Sequence, residues 1–142
     1  MAFQHGKNAY FAIDDSGGTL RDISQYVTDV SMPRDMDMAE TSTFGNTYKT
    51  FIQGLSSLTL SISGRWDPTV TTGPDVVLSG LIGAATTSTF DYGPMGSGNT
   101  GDVHFGGEVY LASYEITSPV TDVVSFSAQF QLATASYTRT VE

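Results

Sequence analysis

The stretch "LTLSISGRW", residues 58–66, carries the clearest secondary-structure pattern in this chain of 142 residues. Apolar and polar side chains alternate along it, which is the pattern of a β-strand with one buried face. The apolar positions are Leu58, Leu60, Ile62 and Trp66. The positions between them are Thr59, Ser61, Ser63 and Arg65. The stretch therefore predicts a strand whose apolar side lies in a protein core.

Two longer segments towards the C-terminal end repeat this alternation. "DVVSFSAQFQLATA", residues 122–135, alternates throughout. Its polar positions are Ser125, Ser127, Gln129 and Gln131. "DVHFGGEVYLASYEIT", residues 102–117, changes phase between Leu111 and Tyr114, and a β-bulge there would reconcile its two halves. Because a turn at residues 118–121 joins the segments, we predict two long antiparallel strands.

The other periodic segments complete a fold class. "NAYFAIDDSGGTL" predicts a strand from Ala9 to Asp14 that ends in a Gly-Gly turn. "GPDVVLSGLIGAA", residues 73–85, predicts a helix, since Pro74 suits a first turn and apolar side chains follow at helical spacing. We therefore predict a mainly β protein of one domain, residues 1–142: an antiparallel β-sandwich or barrel with one flanking α-helix.

The segment from Pro33 to Gly54 follows no single period. Its stretch "TFGNTYKTFIQGL", residues 43–55, is rich in apolar side chains but is interrupted by glycine and threonine. Connections longer than about 12–15 residues without regular structure are uncommon inside a compact domain and are often functional. One interpretation is that these apolar side chains contact another molecule. The other is that they fold back onto their own sandwich.

The polar sides of the two best strands carry small uncharged groups, where a solvent-facing strand usually carries Lys and Glu. Such small uncharged side chains are typical either of a Ser- and Thr-rich exterior or of a surface that must neither repel nor tightly bind the molecule in front of it. The net charge is −9, from 15 acidic and 6 basic residues, and the basic residues are scattered singly. This charge distribution therefore disfavours a protein that binds nucleic acid tightly.

No residue pattern predicts catalysis, a cofactor or a metal site. Cysteine is absent, and neither His5 nor His104 has a partner at metal-ligand spacing. The acidic run "RDMDMAE" lacks the central glycine and the later glutamate of a calcium loop. Glu108 and Glu115 would need a bulge to act together in glycoside hydrolysis. We predict a protein that is not an enzyme, and no apolar run approaches the roughly 18 residues of a membrane span.

Several short motifs occur together in residues 22–68, "DISQYVTDVSMPRDMDMAETSTFGNTYKTFIQGLSSLTLSISGRWDP". They are an Asp-Ile-Ser opening, a Thr-Phe-Gly-Asn element, a Lys-Thr-Phe-Ile-x-Gly-Leu element and a strand that ends Gly-x-Trp-Asp. In this order the segment resembles the N-terminal half of major tail tube proteins of long, flexible-tailed bacteriophages. The helix, the loop and the two long strands that follow also fit, so the resemblance covers most of the chain.

The resemblance implies a structural virion protein of the tail. Six subunits would form a ring, and rings would stack around a tape-measure protein into the hollow tube through which DNA is ejected. Its partners would be further copies of itself, the tape-measure protein, the tail terminator and the tail-tip proteins. DNA would pass through without specific binding, and assembly would take place in the host cytoplasm.

The resemblance also assigns a role to one set of residues, and the small uncharged side chains of the two best strands suggest, as our hypothesis, a second set that lines the channel. It makes the segment at about 33–54 a long assembly loop between subunits or between stacked rings. Its expected contact residues are Arg34, Asp35, Phe44, Tyr48, Lys49, Phe51 and Ile52. The expected channel-lining residues are Thr59, Ser61, Ser63, Ser125, Ser127, Gln129 and Gln131.

Two alternatives remain at this stage. The chain is also compatible with another β-rich phage part, a tail terminator or a capsid decoration protein, which would form closed rings or capsid-bound oligomers but no filaments. A carbohydrate-binding β-sandwich is the other alternative, with Trp66, Tyr92 or Tyr110 as the aromatic platform.

Overall fold

The computed structural model describes residues 3–142 and consists mainly of antiparallel strands. A short 3₁₀ turn, Gly6–Asn8, precedes the first strand. The strands are β1 (Tyr10–Asp14), β2 (Leu20–Asp22), β3 (Val27–Ser31), β4 (Arg34–Glu40), β5 (Phe51–Arg65), β6 (Ser88–Gly93), β7 (Val103–Thr117), β8 (Ser125–Leu132) and β9 (Thr138–Val141). One α-helix in this part of the chain, α1 (Pro74–Leu81), lies between β5 and β6.

The strands join in the order β2-β1-β6-β7-β8-β5-β3. Every pairing is antiparallel, and β4 and β9 are added beside β5 and β7. The mainly β, antiparallel architecture with one flanking helix is thus confirmed. The pairings of β1 with β6 and of β5 with β8 join strands that are distant in sequence, so they require the closure of long chain loops.

One apolar core joins the inner strands of the sheet to the helix. It contains side chains from β1, β5, β6, β7 and β8 together with Val77, Leu78 and Leu81 of α1. Four phenyl rings are almost completely buried: Phe11, Phe90, Phe126 and Phe130. Burying each such ring contributes roughly 1.5–3 kcal/mol, so these rings are a major part of the fold's stability.

The helix α1 begins at Pro74 and packs against β7. Pro74 has no N–H to leave unpaired in the first turn, which suits its place there. Tyr114 of β7 donates a hydrogen bond of 3.0 Å from its hydroxyl to Oδ1 of Asp75. Among residues 3–142, no helix is long and apolar enough to cross a membrane.

The predicted bulge in β7 is confirmed. The register between β7 and β8 shifts between Leu111 and Ser113. Because of this shift, Leu111 before the bulge and Tyr114 after it both turn towards the core. The bulge therefore lets a strand with two phases present one apolar side.

Gly64 sits where β3 meets β5. A Cβ atom at this position would lie 2.1 Å from the carbonyl oxygen of Tyr26 and 2.8 Å from the Cα of Val27. No real Cβ contact is that short, so only glycine allows the two backbones to approach this closely. The close approach of β3 to β5 thus explains why the Gly-x-Trp-Asp motif has glycine at its first position.

The prediction of a long irregular connection from Pro33 to Gly54 is wrong. Residues 34–40 form β4, and β5 begins at Phe51, seven residues before the predicted strand. The two strands pair from Arg34 opposite Leu58 to Glu40 opposite Phe51. The segment is a β-hairpin, and we call residues 34–57 the arm.

Candidate assembly surfaces

The arm projects from the sheet as a two-stranded ribbon. All of its residues are exposed, from Arg34 through Ser57 apart from Ser42. Its tip, residues 41–50, is closed by a hydrogen bond of 2.7 Å from the Thr41 N–H to the Thr50 carbonyl. Seven residues per strand make the paired part roughly 20 Å long at about 3.3 Å per residue.

The arm exposes large apolar side chains. Phe44 is fully exposed, at 109%, and Tyr48 and Leu55 are at least four-fifths exposed. The full set is Met36, Met38, Phe44, Tyr48, Phe51, Ile52 and Leu55. The interpretation that this segment folds back onto its own sandwich is therefore wrong for the single chain. Seven large apolar side chains exposed on one hairpin indicate a binding surface.

Three members of that set were not among the predicted contact residues. Met36 and Met38 alternate with Asp35 and Asp37, which is a strand pattern inside an acidic run. The alternation could have revealed them. Leu55 lies in the irregular part of the pairing, and no simple period identifies it.

A bulge in β5 gives the arm two different faces. The register shifts between Met36, opposite Ser56, and Met38, opposite Gln53, which places one extra β5 residue between them. Direct cross-strand partners share a face, so Met36, Met38 and Phe51 lie on the face that continues into the core side of the sheet. The opposite face carries the pair of Ala39 and Ile52 and the carboxylates of Asp35 and Asp37, whereas Glu40 lies opposite Phe51 on the first face.

Arg34 fixes the base of the arm to its own chain. Its Nη1 donates a hydrogen bond of 2.6 Å to the hydroxyl oxygen of Tyr137. Its guanidinium carbon lies 5.1 Å from the centre of the Tyr137 ring and 5.8 Å from that of Phe105. These two rings stack with an interplanar angle of 14°. Arg34, a predicted contact residue, thus makes intramolecular contacts that orient the arm.

A groove of about 290 Å³ lies beside Arg34 at the base of the arm. The residues that line it are Arg34, Asp35, Met36, Ser56, Ser57, Leu58, Leu132 and Tyr137. Met36, Leu58 and Leu132 contribute apolar side chains from three strands. The side chains of Asp35 and Ser57 belong to the opposite face of the ribbon, because this pair alternates with that of Arg34 and Leu58.

The seven predicted channel-lining residues do share one surface. Thr59 lies opposite Gln131, Ser61 opposite Gln129, and Ser63 opposite Ser127. Ser125 is opposite Arg65 in the same register. These pairs alternate with buried ones, so the polar side chains all point away from the core.

The neighbouring strands widen this polar face. On the β3 side Asp29 and Ser31 continue it, opposite Ser63 and Ser61. On the β7 side the register adds Ser113, Glu115 and Thr117. Sequence analysis missed Asp29 and Ser31 because the short, bulged β3 shows too few alternations to be phased. Four strands thus form one surface with few charges, in the order β3-β5-β8-β7.

Both outer edges of this four-stranded unit lack a strand partner within residues 3–142. One side of β3 pairs with β5, and its other side has no strand partner there. The pairing of β6 with β7 ends at Val109, so residues 110–117 are paired on the β8 side only. Unpaired edges are sites at which another chain can add a strand.

A buried histidine lies at the other end of β7. Nδ1 of His104 is 2.8 Å from Oδ1 of Asp91, and its Nε2 is 3.3 Å from Oε1 of Glu142. Glu142 follows β9, so this cluster ties β9 to the body of the sheet. No group of three or more His, Asp or Glu residues with metal-binding geometry occurs in residues 3–142.

The carboxylates considered for hydrolysis do not form a pair. With the bulge, Glu108 and Glu115 do fall on the same face of β7. They are seven positions apart, roughly 20 Å along a strand, whereas glycosidases hold their carboxylates about 5–9.5 Å apart. The arrangement therefore lacks the geometry for that reaction.

The aromatic platform of the carbohydrate-binding alternative does not form either. Trp66 and Tyr92 are only partly exposed and pack against the core, and Nε1 of Trp66 is buried. Of the three predicted aromatic residues, only Tyr110 is exposed.

Comparison with known proteins relates this fold to tail tubes. The tail of an empty gene transfer agent particle, with C6 symmetry, matches with a TM-score of 0.77 at 13% identity, over 99% of both chains. The SPP1 tail tube gives 0.78 at 10% identity, over 99% of this chain and 80% of that one. A chain of the PVC sheath–tube complex, an extracellular contractile injection system, gives 0.70 at 12%, over 99% and 93%.

Sequence comparison adds no relative to these structures. No protein-family model matches the chain, and no curated protein matches it in sequence. At identities of 10–13% the likeness is one of fold. The chain has the tail tube fold, and this fold agrees with the expectation drawn from its motifs.

Proposed function

We propose that this protein is a structural virion protein that forms six-membered rings, and that these rings stack into a hollow tail tube for DNA. The observation that carries the proposal is the four-stranded unit β3-β5-β8-β7, with a polar face and two unpaired edges. The six-fold symmetry of the gene transfer agent tail, which has the same fold, supports the ring size.

Edge pairing between copies explains how a ring would close. β3 and β7 run in opposite directions in the order β3-β5-β8-β7, so β7 of one copy would pair with β3 of the next in the antiparallel sense. A rotation that repeats this contact six times gives a closed ring. Every edge of the four-stranded unit would then be paired, which removes the usual hazard of open edges.

The dimensions of such a barrel suit a DNA channel. Six copies of four strands give twenty-four strands, and at about 4.8 Å between strands and a tilt near 40° the barrel is about 50 Å across. Side chains on the inner wall reduce the opening to about 40 Å, several times the roughly 10–12 Å width of an α-helix. A DNA duplex fits through an opening of this size.

The chemistry of the polar face suits a wall that lets DNA slide. Binding to phosphates is driven by Lys and Arg that release counterions, and this face has Arg65 as its one basic residue among Ser, Thr and Gln side chains. Asp29 and Glu115 add negative charge beside it. The channel would therefore hydrate DNA without holding it.

The arm would extend the contacts beyond one ring. It is roughly 20 Å long and carries exposed apolar residues that gain stability only when another surface covers them. We assign it to contacts between subunits of neighbouring rings. The tape-measure protein, the tail terminator and the tail-tip proteins would be further partners, with assembly in the host cytoplasm before incorporation into the virion tail.

The experiment is negative-stain electron microscopy of the purified protein over a range of concentrations, combined with size-exclusion chromatography. Hollow tubes or six-membered rings are expected, with the polar face on the inside in a three-dimensional reconstruction. Closed rings that never stack would favour the terminator-like alternative. A strict monomer at every concentration, even when seeded with preformed tail tips, would contradict the proposal.

A further inference from the structure

His104 is a buried titratable side chain that the proposed assembly does not use. It lies near the start of β7, and its side chain is 7% exposed. Its Nδ1 makes a hydrogen bond of 2.8 Å with Oδ1 of Asp91. Its Nε2 is buried without a hydrogen-bond partner in residues 3–142, since Oε1 of Glu142, 3.3 Å away, is not aligned for one. Buried polar atoms are nearly always hydrogen-bonded, so this nitrogen is an exception.

The two carboxylates determine where the protons of the imidazole lie. An ionised carboxylate only accepts hydrogen bonds, so Nδ1 must be the donor to Asp91. A neutral imidazole has one N–H, and its Nε2 would therefore present a lone pair to the carboxylate of Glu142. That contact is repulsive at 3.3 Å. A second proton, on Nε2, makes it attractive.

The doubly protonated ring would not be an isolated charge. A single buried charge is costly, whereas here each nitrogen faces a carboxylate, Asp91 from β6 and Glu142 after β9. The Oδ2 of Asp102, two residues before His104, already accepts a hydrogen bond of 3.1 Å from the N–H of Asn99. The pair of carboxylates at the ring is thus what the imidazolium would bind.

One more titratable group faces the imidazole. The ring of Tyr10, in β1, lies with its centre 5.9 Å from that of His104. Burial raises the pKa of Tyr10 above its usual 10.0, and the charges of Asp22, Asp91 and Glu142 raise it further. Tyr10 therefore stays neutral at the pH values at which histidines titrate.

Glu142 holds two segments of the chain together. Its carbonyl accepts a hydrogen bond of 2.6 Å from the N–H of Gly101, and its Oε2 accepts one of 3.2 Å from the N–H of Gly98. The glycine-rich loop, residues 95–101, and β9 therefore meet at this residue. A movement of Glu142 away from His104 would loosen both.

β9 has little else to hold it. It pairs with β7 alone in residues 3–142, over four residues that are all exposed. Segments with so little buried surface open most easily, so one ionic contact has a large effect on them. Tyr137, which accepts the hydrogen bond from Arg34 at the base of the arm, directly precedes β9.

We propose that His104, Asp91 and Glu142 form a pH-sensitive latch that holds β9 and the loop 95–101 to the sheet. The latch is closed while His104 carries two protons and both carboxylates are ionised. It opens when Nε2 loses its proton, because Glu142 then faces a lone pair. Carboxylates ordinarily titrate near pH 4 and histidines between about pH 5 and pH 8, so the latch is firmest in mildly acidic solution and loosens as the pH rises.

Amide hydrogen exchange of the folded subunit tests the latch without any assembly. The reporters are the amides of Gly98, Gly101 and Glu142, with those of β8 as the internal reference. After correction for intrinsic exchange rates, their protection relative to β8 is expected to fall at least about fivefold between about pH 5.5 and pH 8.5. The ¹⁵N shifts of the His104 ring should show the loss of the Nε2 proton over the same range.

The variant Glu142→Gln gives the sharpest test. A glutamine amide can donate an N–H to the lone pair of neutral Nε2, while its oxygen still accepts from Gly98. This variant should therefore keep its protection at pH 8.5 and lose the pH dependence, which mere loss of a structural contact would not produce. The matched control is His5→Gln, because the chain has two histidines and His5 is exposed. It should keep the profile of the parent protein.

Unchanged protection of the parent protein across this pH range would overturn the latch. A parent-like decline in Glu142→Gln, or loss of the decline in His5→Gln, would overturn it as well. None of these results bears on ring or tube formation, so the proposed function would stand. Conversely, a subunit that never assembles can still show the latch.

Discussion

One strand of this protein contains two regions with opposite environments. Residues 51–57 of β5 belong to the arm and are exposed, whereas residues 58–65 run through the sheet with every second side chain buried. The strand is continuous, so backbone conformation is not what separates them. The difference lies in their neighbours: the first half pairs with β4 alone, and the second has β8 on one side and β3 or the start of β4 on the other.

The comparison shows that apolar content and burial are separate properties. Phe51, Ile52 and Leu55 are as apolar as the residues of the second half, yet each of them is more than half exposed in the single chain. A two-stranded ribbon alone is marginally stable in water, so the arm depends on its base and on what it binds. The second half stabilises the fold, and the first half is available for assembly.

The largest expected effect on stability comes from truncating a buried phenylalanine of the sheet, in comparison with an exposed one of the arm. Phe130→Ala removes a ring that is 1% exposed opposite Leu60, and we expect a loss of about 3–5 kcal/mol in the free energy of unfolding. Phe51→Ala, at 55% exposed, is expected to change it by less than about 0.5 kcal/mol. Urea denaturation followed by circular dichroism measures both.

Stacking of subunits is expected to depend on the arm, although the stability of the subunit does not. Phe51→Asp should leave a folded, monodisperse subunit that stacks poorly, as seen by electron microscopy and circular dichroism. Unimpaired tubes from Phe51→Asp would contradict the role of the arm, and an equal loss of stability in Phe51→Ala and Phe130→Ala would contradict the comparison itself.

The next largest effect on stability is expected from replacing one glycine in each region of β5 by alanine. Gly64→Ala places a methyl group 2.1 Å from the Tyr26 carbonyl oxygen, and we expect a loss of about 3 kcal/mol because two backbones must separate. Gly54→Ala in the arm meets the Cβ of Asp37 at 3.1 Å and is expected to cost less than about 1 kcal/mol, since the exposed ribbon can shift. Thermal unfolding of both variants measures this difference in stability. Similar melting temperatures would show that the arm is as tightly packed as the sheet.

A smaller effect is expected at the junction between the two regions. Arg34→Ala removes the hydrogen bond to Tyr137 and the contact with two rings, which together are worth about 1–2 kcal/mol locally. Amide hydrogen exchange should increase in residues 35–40 and remain unchanged in β8. Arg65→Ala, on the polar face of the same sheet, is the control and should leave the exchange of the arm unaltered.

The smallest expected effect is the contribution of Tyr114, in the packed region, to the pH dependence of the free energy of unfolding. Burial, and then the hydrogen bond to Asp75, raise the pKa of Tyr114 above its usual 10.0. The folded protein therefore keeps a proton that the unfolded chain loses near pH 10, so the free energy of unfolding falls as pH rises beyond that point.

Tyr114→Phe should lose about 1 kcal/mol at neutral pH and show a shallower alkaline decline than the parent protein. Urea denaturation between pH 8 and pH 11 measures this. Tyr92→Phe is the control for the neutral-pH loss: burial also raises the pKa of Tyr92, but its hydroxyl has no hydrogen-bond partner among residues 3–142, so this variant should lose less stability at pH 7. Parallel declines in the parent and in Tyr114→Phe would refute the assignment.

Strand position and phase could be predicted where a strand has one buried and one polar side. The pattern of residues 58–66 and 122–135 led to β5, β8 and the shared polar face, and the phase change after Leu111 led to the bulge. The helix was predictable from Pro74 and its apolar spacing. These signals are local, because burial on one side of an element leaves a period in the sequence itself.

The arm and the edge strands could not be predicted in this way. The hairpin is exposed on both faces, so no buried side imposes a period, and the bulge between Met36 and Met38 shifts the register of what alternation there is. The short strands β2 and β9 contain three and four residues, too few for a pattern. The contacts of His104 with Asp91 and Glu142 join residues from three separate parts of the chain.

The amino-acid sequence by itself thus determined the fold class, the helix, the long strands and the uncharged character of one sheet face. It did so because alternation and composition are properties of neighbouring residues. Only the tertiary structure decided that Phe44 and Phe51 are exposed, that Arg34 is held by Tyr137, and that two sheet edges have no strand partner within residues 3–142. These depend on which distant strands meet, and that is settled by the packing of the whole core.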